Sequence, residues 1–377
     1  MQERILLSIA HMGGSEQKWI DEAFRENWIV PLGPNVDEFE HRLESYLNAD
    51  SVVALSAGTA ALHLGLVMLG VKKDDDVICQ SFTFSASANP IKYQGANPVF
   101  VDSESETWNM SPIALEEAII DRHKKTGKYP KAIIPVHLYG MPAKMDEINA
   151  IAQAYNIPIL EDAAEALGSE YKGIKCGTIG KYGALSFNGN KIITTSGGGA
   201  LICPGTEEAK RVKFYATQAR ENRPYYYHEV IGYNYRLSNV SAGIGCGQME
   251  VLADHVARRR EVHNLYSQLF SDIDGISVQE NPNSDYNSNF WLSTILLDPK
   301  IIKQTPNEIR IALGQENIET RLLWRPMHMQ PIYQNAPYYG STVCEDLFAQ
   351  GLCLPSSSSL SDDEVTRVVN SIINVIK

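Results

Sequence analysis

The sequence predicts an α/β protein, with a large domain on a mostly parallel sheet followed by a smaller C-terminal α/β domain. Three observations carry this. From about residue 50, short apolar runs alternate with helical patterns, as in parallel sheets covered on both faces. The chain has 377 residues, more than one small domain needs. Its 44% apolar and 21% charged residues are a globular balance without fibrous, disordered or membrane bias.

The alternation runs SVVALS (51–56), TAALHLGLVMLG (59–70), DVICQS (76–81), SASANPIKYQG (85–95) and NPVFVD (97–102). It continues through KAIIPVH (131–137), the helix-like MDEINAIAQAYN (145–156), the strand-like IPILED (157–162) and ALSF (184–187). From Ser238 to about Asp272, Met249, Leu252, Val256, Val262, Leu265 and Leu269 recur at helical spacing, which predicts one long helix bridging to the second domain. There TILLD (294–298) and GLCLP (351–355) read as strands. The expected division is 1–250 and 251–377, with packing of segment 1–30 on the smaller domain as an alternative.

The formal net charge of −12 argues against a nucleic-acid partner, whose phosphates require a basic surface. The longest basic run, Arg258-Arg259-Arg260, reads as the solvated face of a helix. Six cysteines stand without a CxxC pair, so neither a zinc cluster nor a disulfide framework is indicated. The opening MQERILLSIAHMGG lacks a basic n-region, and the longest apolar stretch, 61–71, is too short to span a membrane. The expectation is a cytoplasmic protein with no membrane partner.

In parallel sheets ligands gather beyond the carboxyl ends of the strands. Three such ends carry chemistry. In ALSAGTAAL (54–62) a small-residue turn, Ser56 to Thr59, precedes an apolar helix, whose free amides suit an anion such as a phosphate; simple helix capping is the plainer alternative. PILEDAAEALG (158–168) ends a strand in Glu161 and Asp162, to cap a helix or to meet a cation. ALSFNGNKIITTSGGGA (184–200) places Lys191 between a strand end and a glycine-rich turn, as a loop charge or as a reagent. A phosphate cradle, an acid and an amine at one sheet edge are the parts pyridoxal phosphate requires. His63, in an apolar helix, and His137, at a strand end, are assigned to packing.

The motifs WIVPLGPNVDEFE (28–40), SAGTAAL (56–62), QSFTFSASANPIKYQGANPVFVD (80–102), HLYG (137–140), EDAAEALG (161–168), SFNGNK (186–191) and GYNYRLS (232–238) stand in an order that resembles the DegT/StrS family of pyridoxal-phosphate-dependent nucleotide-sugar aminotransferases, over essentially the whole chain. The resemblance implies the fold of aspartate aminotransferase, fold type I, in a homodimer with shared active sites. It implies Lys191 as the cofactor-bearing amine and proton shuttle, Asp162 on the ring nitrogen, and Gly58, Thr59 and Ser186 on the phosphate, joined by Asn234 of the other subunit. Phe84 would stack on the ring; a core aromatic is its alternative.

Many relatives have histidine where Glu165 stands, so its contact with the cofactor is open, and it could orient Lys191 or a water instead. RLLWRPMHMQPIY (321–333) is similar to the family's sugar-nucleotide segment, which makes Arg321 and His328 candidates for substrate contact; a surface ion pair and a structural histidine are their alternatives. Asn188 and Asn190 flank Lys191 with short amides suited to a sugar. The stretch around Lys191 looks closest to the branch aminating C4 of a UDP-linked 4-keto-6-deoxy-N-acetylhexosamine, with L-glutamate as donor. A C3-aminating enzyme, a sugar dehydratase on the same cofactor and a non-catalytic binding protein are the alternatives; retention of Lys191 argues against the dehydratase. A nicotinamide enzyme is set aside because no G-x-G-x-x-G opens the first strand–helix unit, and GIGCGQ (243–248) has the wrong spacing and lies in a helix pattern.

Overall fold

A computed structural model describes residues 3–377. Its principal sheet runs Ser51–Leu55, Gly199–Cys203, Tyr182–Ser186, Leu160–Asp162, Ala132–Ile134, Asp76–Gln80, Asn97–Val101 and Tyr338–Tyr339, the two halves joined by parallel bridges Ile133 to Ile159 and Val136 to Asp162. All strands are parallel except Gly199–Cys203, which runs against both neighbours. The strands are buried on both faces, hence their near-continuous apolar runs.

On one face, helix Gly58–Met68 buries Ala60, Leu62, Leu64 and Leu66 against Val77, Phe100 and Leu201. On the other, helices Pro112–Thr126 and Met145–Ala154 cover Ile78, Val99 and Ile133. A second, antiparallel sheet of Ile276–Val278, Thr294–Leu297, Gly351–Cys353 and Arg321–Leu322 carries helices Leu252–Phe270, Pro306–Gln315 and Asp362–Ile376 over its own core.

The N-terminal segment divides its allegiance. Ile5 bridges to Ile318 and is buried in the core of the second sheet, whereas helix Glu16–Arg25 lies on helix Asn239–Glu250 of the larger body. The glycines of GIGCGQ let helix Asn239–Glu250 pack closely on its neighbours, Gly247 on helix Glu16–Arg25 and Gly245 on helix Pro34–Leu47. A Cβ on Gly245 would stand 2.7 Å from Phe39, and one on Gly247 would stand 2.8 Å from the Glu16 backbone. These glycines serve helix packing.

Two expectations are corrected. The predicted single helix from Ser238 to Asp272 is two, Asn239–Glu250 and Leu252–Phe270, interrupted at Val251 (φ −115°, ψ 6°). Apolar spacing continues through the break, so periodicity does not register it. The basic triplet is no solvated face, because Arg259 is 1% exposed and donates to the carbonyls of Trp291 (2.6 Å) and Ser356 (2.9 Å). Arg260 is half-buried, on the carbonyls of Ser288 and Gly168, and only Arg258 keeps surface ion pairs, with Glu261 and Asp362.

Candidate active site

The strands ending at Leu55, Asp162 and Ser186 are mutually parallel, so their carboxyl ends open on one edge. A cleft of about 270 Å³ lies there, lined by Gly58, Thr59, Phe84, Asp162, Glu165, Ser186, Asn188 and Lys191 among others. Ala57 is extended (φ −165°, ψ 158°) and no side chain caps helix Gly58–Met68, so its first amides face the cleft. A Cβ on Gly58 would stand 2.9 Å from that of Ser186, and one on Gly199 would stand 2.4 Å from the Gly58 nitrogen. Glycine at both places lets strand and helix start meet. Together these groups form an anion cradle.

Strand alternation separates the two acids of IPILED. Asp162 faces the cleft, 4% exposed, and accepts from the Ser87 hydroxyl (2.6 Å) and the Ala164 amide (3.2 Å). Burial pushes its carboxyl above the ordinary carboxylate range, against the opposing pull of Ser87, Ala164 and Lys191. Glu161 points away and is buried against His137, whose Nε2 lies 2.8 Å from its carboxylate. Because the Ala143 amide donates to His137 Nδ1 (3.0 Å), the ring is the neutral Nε2–H form. His137 is thus structural, and so is His63, held by Tyr235 and Gln94 with burial depressing it to about 4.

Lys191 is held rather than solvated. Its Nζ lies 3.3 Å from Glu165 Oε1 and 4.0 Å from the centroid of the Trp291 ring. Glu165 is 5% exposed, and its other oxygen accepts from the Tyr139 amide (2.8 Å). Burial raises the Glu165 carboxyl, with Lys191 opposing. Neighbouring groups therefore fix the amine's position between strand end and glycine turn.

The other sequence candidates fall into two groups. Phe84 lines the cleft, half-exposed, its ring 5.2 Å from Trp324. Asn188 and Asn190 line it, both within the turn that leads into Lys191. Asn234 lies outside it, exposed, accepting from Gln218. His328 is engaged by Ser81 (2.7 Å) and Glu345 (3.2 Å) and stacked on Tyr338, away from the cleft wall. Arg321 is exposed, paired with Glu319 at 2.8 Å, and lines a neighbouring cavity that shares Asn190, Trp291 and Trp324 with the cleft. Sequence reading missed Ser87, Trp291 and Trp324. Ser87 left a signal, standing in the quoted run 80–102, but Trp291 comes to Lys191 from 100 residues away, with no local pattern to mark it.

An uncapped helix start for an anion, a buried carboxylate for a cationic ring nitrogen, and a lysine between them fit pyridoxal phosphate in chemistry and in place. Fold and site define a pyridoxal-phosphate-dependent aminotransferase of fold type I. Residues 11–373 match the DegT/DnrJ/EryC1/StrS aminotransferase family, and the chain belongs to it. It is a sugar aminotransferase.

It is 48% identical to the putative pyridoxal phosphate-dependent aminotransferase EpsN of Bacillus subtilis, over 100% of this chain and 96% of that one. Identity to GDP-perosamine synthase of Escherichia coli O157:H7 is 36%, over 95% of each chain. To the UDP-4-amino-4-deoxy-L-arabinose–oxoglutarate aminotransferase of Shewanella sediminis it is 31%, over 95% of this chain and 94% of that one. A solved DegT/DnrJ/EryC1/StrS aminotransferase from Brucella abortus superposes with a TM-score of 0.89 at 30% identity, covering 96% of this chain and 95% of that one. Among the described residues no helix is long and apolar enough to cross a membrane, and no group of side chains could hold a metal ion.

Proposed function

We propose that this enzyme moves an amino group from L-glutamate to C4 of a UDP-linked 4-keto-6-deoxy-N-acetylhexosamine. The observation that carries the reading is the Lys191 turn, where Asn188 and Asn190 bring short amides to the cleft wall beside the amine. The Shewanella relative supports it, because its name pairs a UDP-linked 4-amino sugar with oxoglutarate, the keto acid that glutamate becomes. A second reading, a GDP-linked keto sugar, is favoured by the likeness to GDP-perosamine synthase.

Pyridoxal phosphate, when bound, supplies the carbonyl that carries the amine and the ring that takes up electrons. In the proposed roles, the first amides of helix Gly58–Met68, with Thr59 and Ser186, bind its phosphate. Asp162 keeps a proton on the ring nitrogen, and Ser87 and Ala164 orient that carboxylate. Phe84 covers one face of the ring. Lys191 carries the cofactor at rest and moves the proton between substrate carbon and cofactor, while Glu165 holds the amine in line.

Asn188 and Asn190 are exposed in the free chain, and once a bound sugar covers them an amide left without its partner costs about 1 to 3 kcal/mol, roughly ten- to a hundredfold between sugars differing by one polar group. With UDP-4-keto-6-deoxy-N-acetylglucosamine and glutamate, NMR of the product is expected to show an amine at C4. Efficient amination only of a 3-keto sugar, of a dTDP sugar lacking the acetamido group, or of the GDP-linked counterpart would overturn the assignment.

The working unit in this reading is a homodimer in which Asn234 reaches the partner's phosphate site. Asn234 is exposed and away from its own cleft, and Tyr225, Tyr226 and Ile231 on the preceding segment expose apolar surface. Mixing Lys191→Ala and Asn234→Asp subunits, each impaired alone, is expected to restore part of the activity, since one hybrid site regains both native residues. Verified heterodimers without any recovery would contradict sharing.

A further inference from the structure

Arg259 is a buried cation with no carboxylate partner among the described residues. A charge so placed is costly unless polar groups surround it. Burial depresses its guanidinium to about 9. The groups it does meet lead to Lys191. Nη1 donates to the Trp291 carbonyl, and Nη2 donates to the Ser8 hydroxyl at 3.0 Å. Ser8 donates to the Asn190 carbonyl at 2.7 Å, and the Trp291 indole N–H donates to that same carbonyl at 2.7 Å. Arg259, Trp291, Asn190 and Ser8 therefore close a hydrogen-bonded ring. It ties together helix Leu252–Phe270, the approach to strand Thr294–Leu297, the Lys191 turn and the N-terminal segment.

We propose that Arg259 is a positioning residue for the amine chemistry, holding the Trp291 indole over Lys191 and fixing the Asn190–Lys191 turn through Ser8. The forked guanidinium is suited to this, because it meets three acceptors in fixed directions and stays charged. The indole face favours the protonated form of the nitrogen above it. The proposal rests on Lys191 being the cofactor-bearing amine, and its test separates the two claims.

The test is the pH midpoint of the visible absorbance of the cofactor-loaded protein, in wild type, Trp291→Leu, Arg259→Met, the double variant and Ser8→Ala. Losing the indole releases the proton more easily, so Trp291→Leu is expected to lower the midpoint by about 0.5 to 1 pH unit. Arg259→Met is expected to lower it similarly and the double variant no further, as for groups acting in one chain. Ser8→Ala, which leaves the core intact, should lower it less, and it decides the matter if Arg259→Met does not fold.

If Arg259 acted only by its charge, its removal would ease protonation and raise the midpoint. A raised or unmoved midpoint in Arg259→Met, additive shifts in the double variant, or an unmoved midpoint in Ser8→Ala would overturn the proposal. Failure of the Lys191 reading looks different: the lysine-linked visible band would be missing in wild type or would persist unchanged in Lys191→Ala.

Discussion

Lys191→Ala is expected to bind pyridoxal phosphate, held by the helix start and Asp162, yet to lose turnover by at least about 10² to 10⁴-fold, the usual loss when a positioned acid–base group is removed. The loss should exceed that range, because in the proposed site the same amine also carries the cofactor between turnovers. It should fall on kcat and kcat/KM together, as for an interaction used in the transition state. The substitution leaves Glu165 without its cation at 3.3 Å, in a place where burial already raises that carboxyl. Glu165 should then take up a proton at higher pH than in wild type. Steady-state kinetics with a visible spectrum of the bound cofactor checks both parts.

Asp162→Asn is expected to lower turnover by roughly 10² to 10³-fold, as when one preorganised electrostatic contact to the reacting group is removed. In the proposed site this carboxylate keeps a proton on the ring nitrogen, and an amide does not. Stability should move the other way. The Asp162 carboxyl is raised in the folded protein, so its favourable contribution is fully present below the ordinary carboxylate value and is lost as pH rises through the raised one. The cofactor-free variant should therefore melt above the cofactor-free wild type at neutral pH, and the difference should vanish in acid. The amide can keep both bonds, because Ser87 also meets Thr83 at 2.7 Å and is able to turn its proton there. Thermal melts of cofactor-free protein across pH measure this; a variant melting below wild type at neutral pH would refute it.

What was legible in the sequence is what is local. Apolar runs closed by small or charged residues mark the strands ending at Leu55, Asp162 and Ser186, and the shared direction of those strands brings Gly58, Asp162 and Lys191 to one edge. Tertiary contacts left weaker traces. Strand Gly199–Cys203 runs against both neighbours and starts on a glycine that lets it pass close to Ala57 and Gly58, an approach that no periodicity encodes. Arg259 looks solvated in a row of three arginines, and only the fold reveals the carbonyls that receive it. His328 and Arg321 stand in a family-like segment, but the structure engages one with Ser81 and Glu345 and the other with Glu319. Trp291 is the clearest omission, since its meeting with Lys191 is a contact between residues 100 positions apart.

The central claim is that Lys191 is the amine that carries the cofactor, and borohydride reduction of the loaded protein followed by peptide mass mapping tests it most directly. Reduction turns the link into a stable bond, so the phosphopyridoxyl group stays where the cofactor sat. The site geometry predicts the label on the peptide containing Lys191, the lysine that lines the cleft beside Asp162 and the Gly58 helix start. A label on Lys175, paired with Glu170 at 2.6 Å, or on Lys181, outside the cleft lining, would contradict the account.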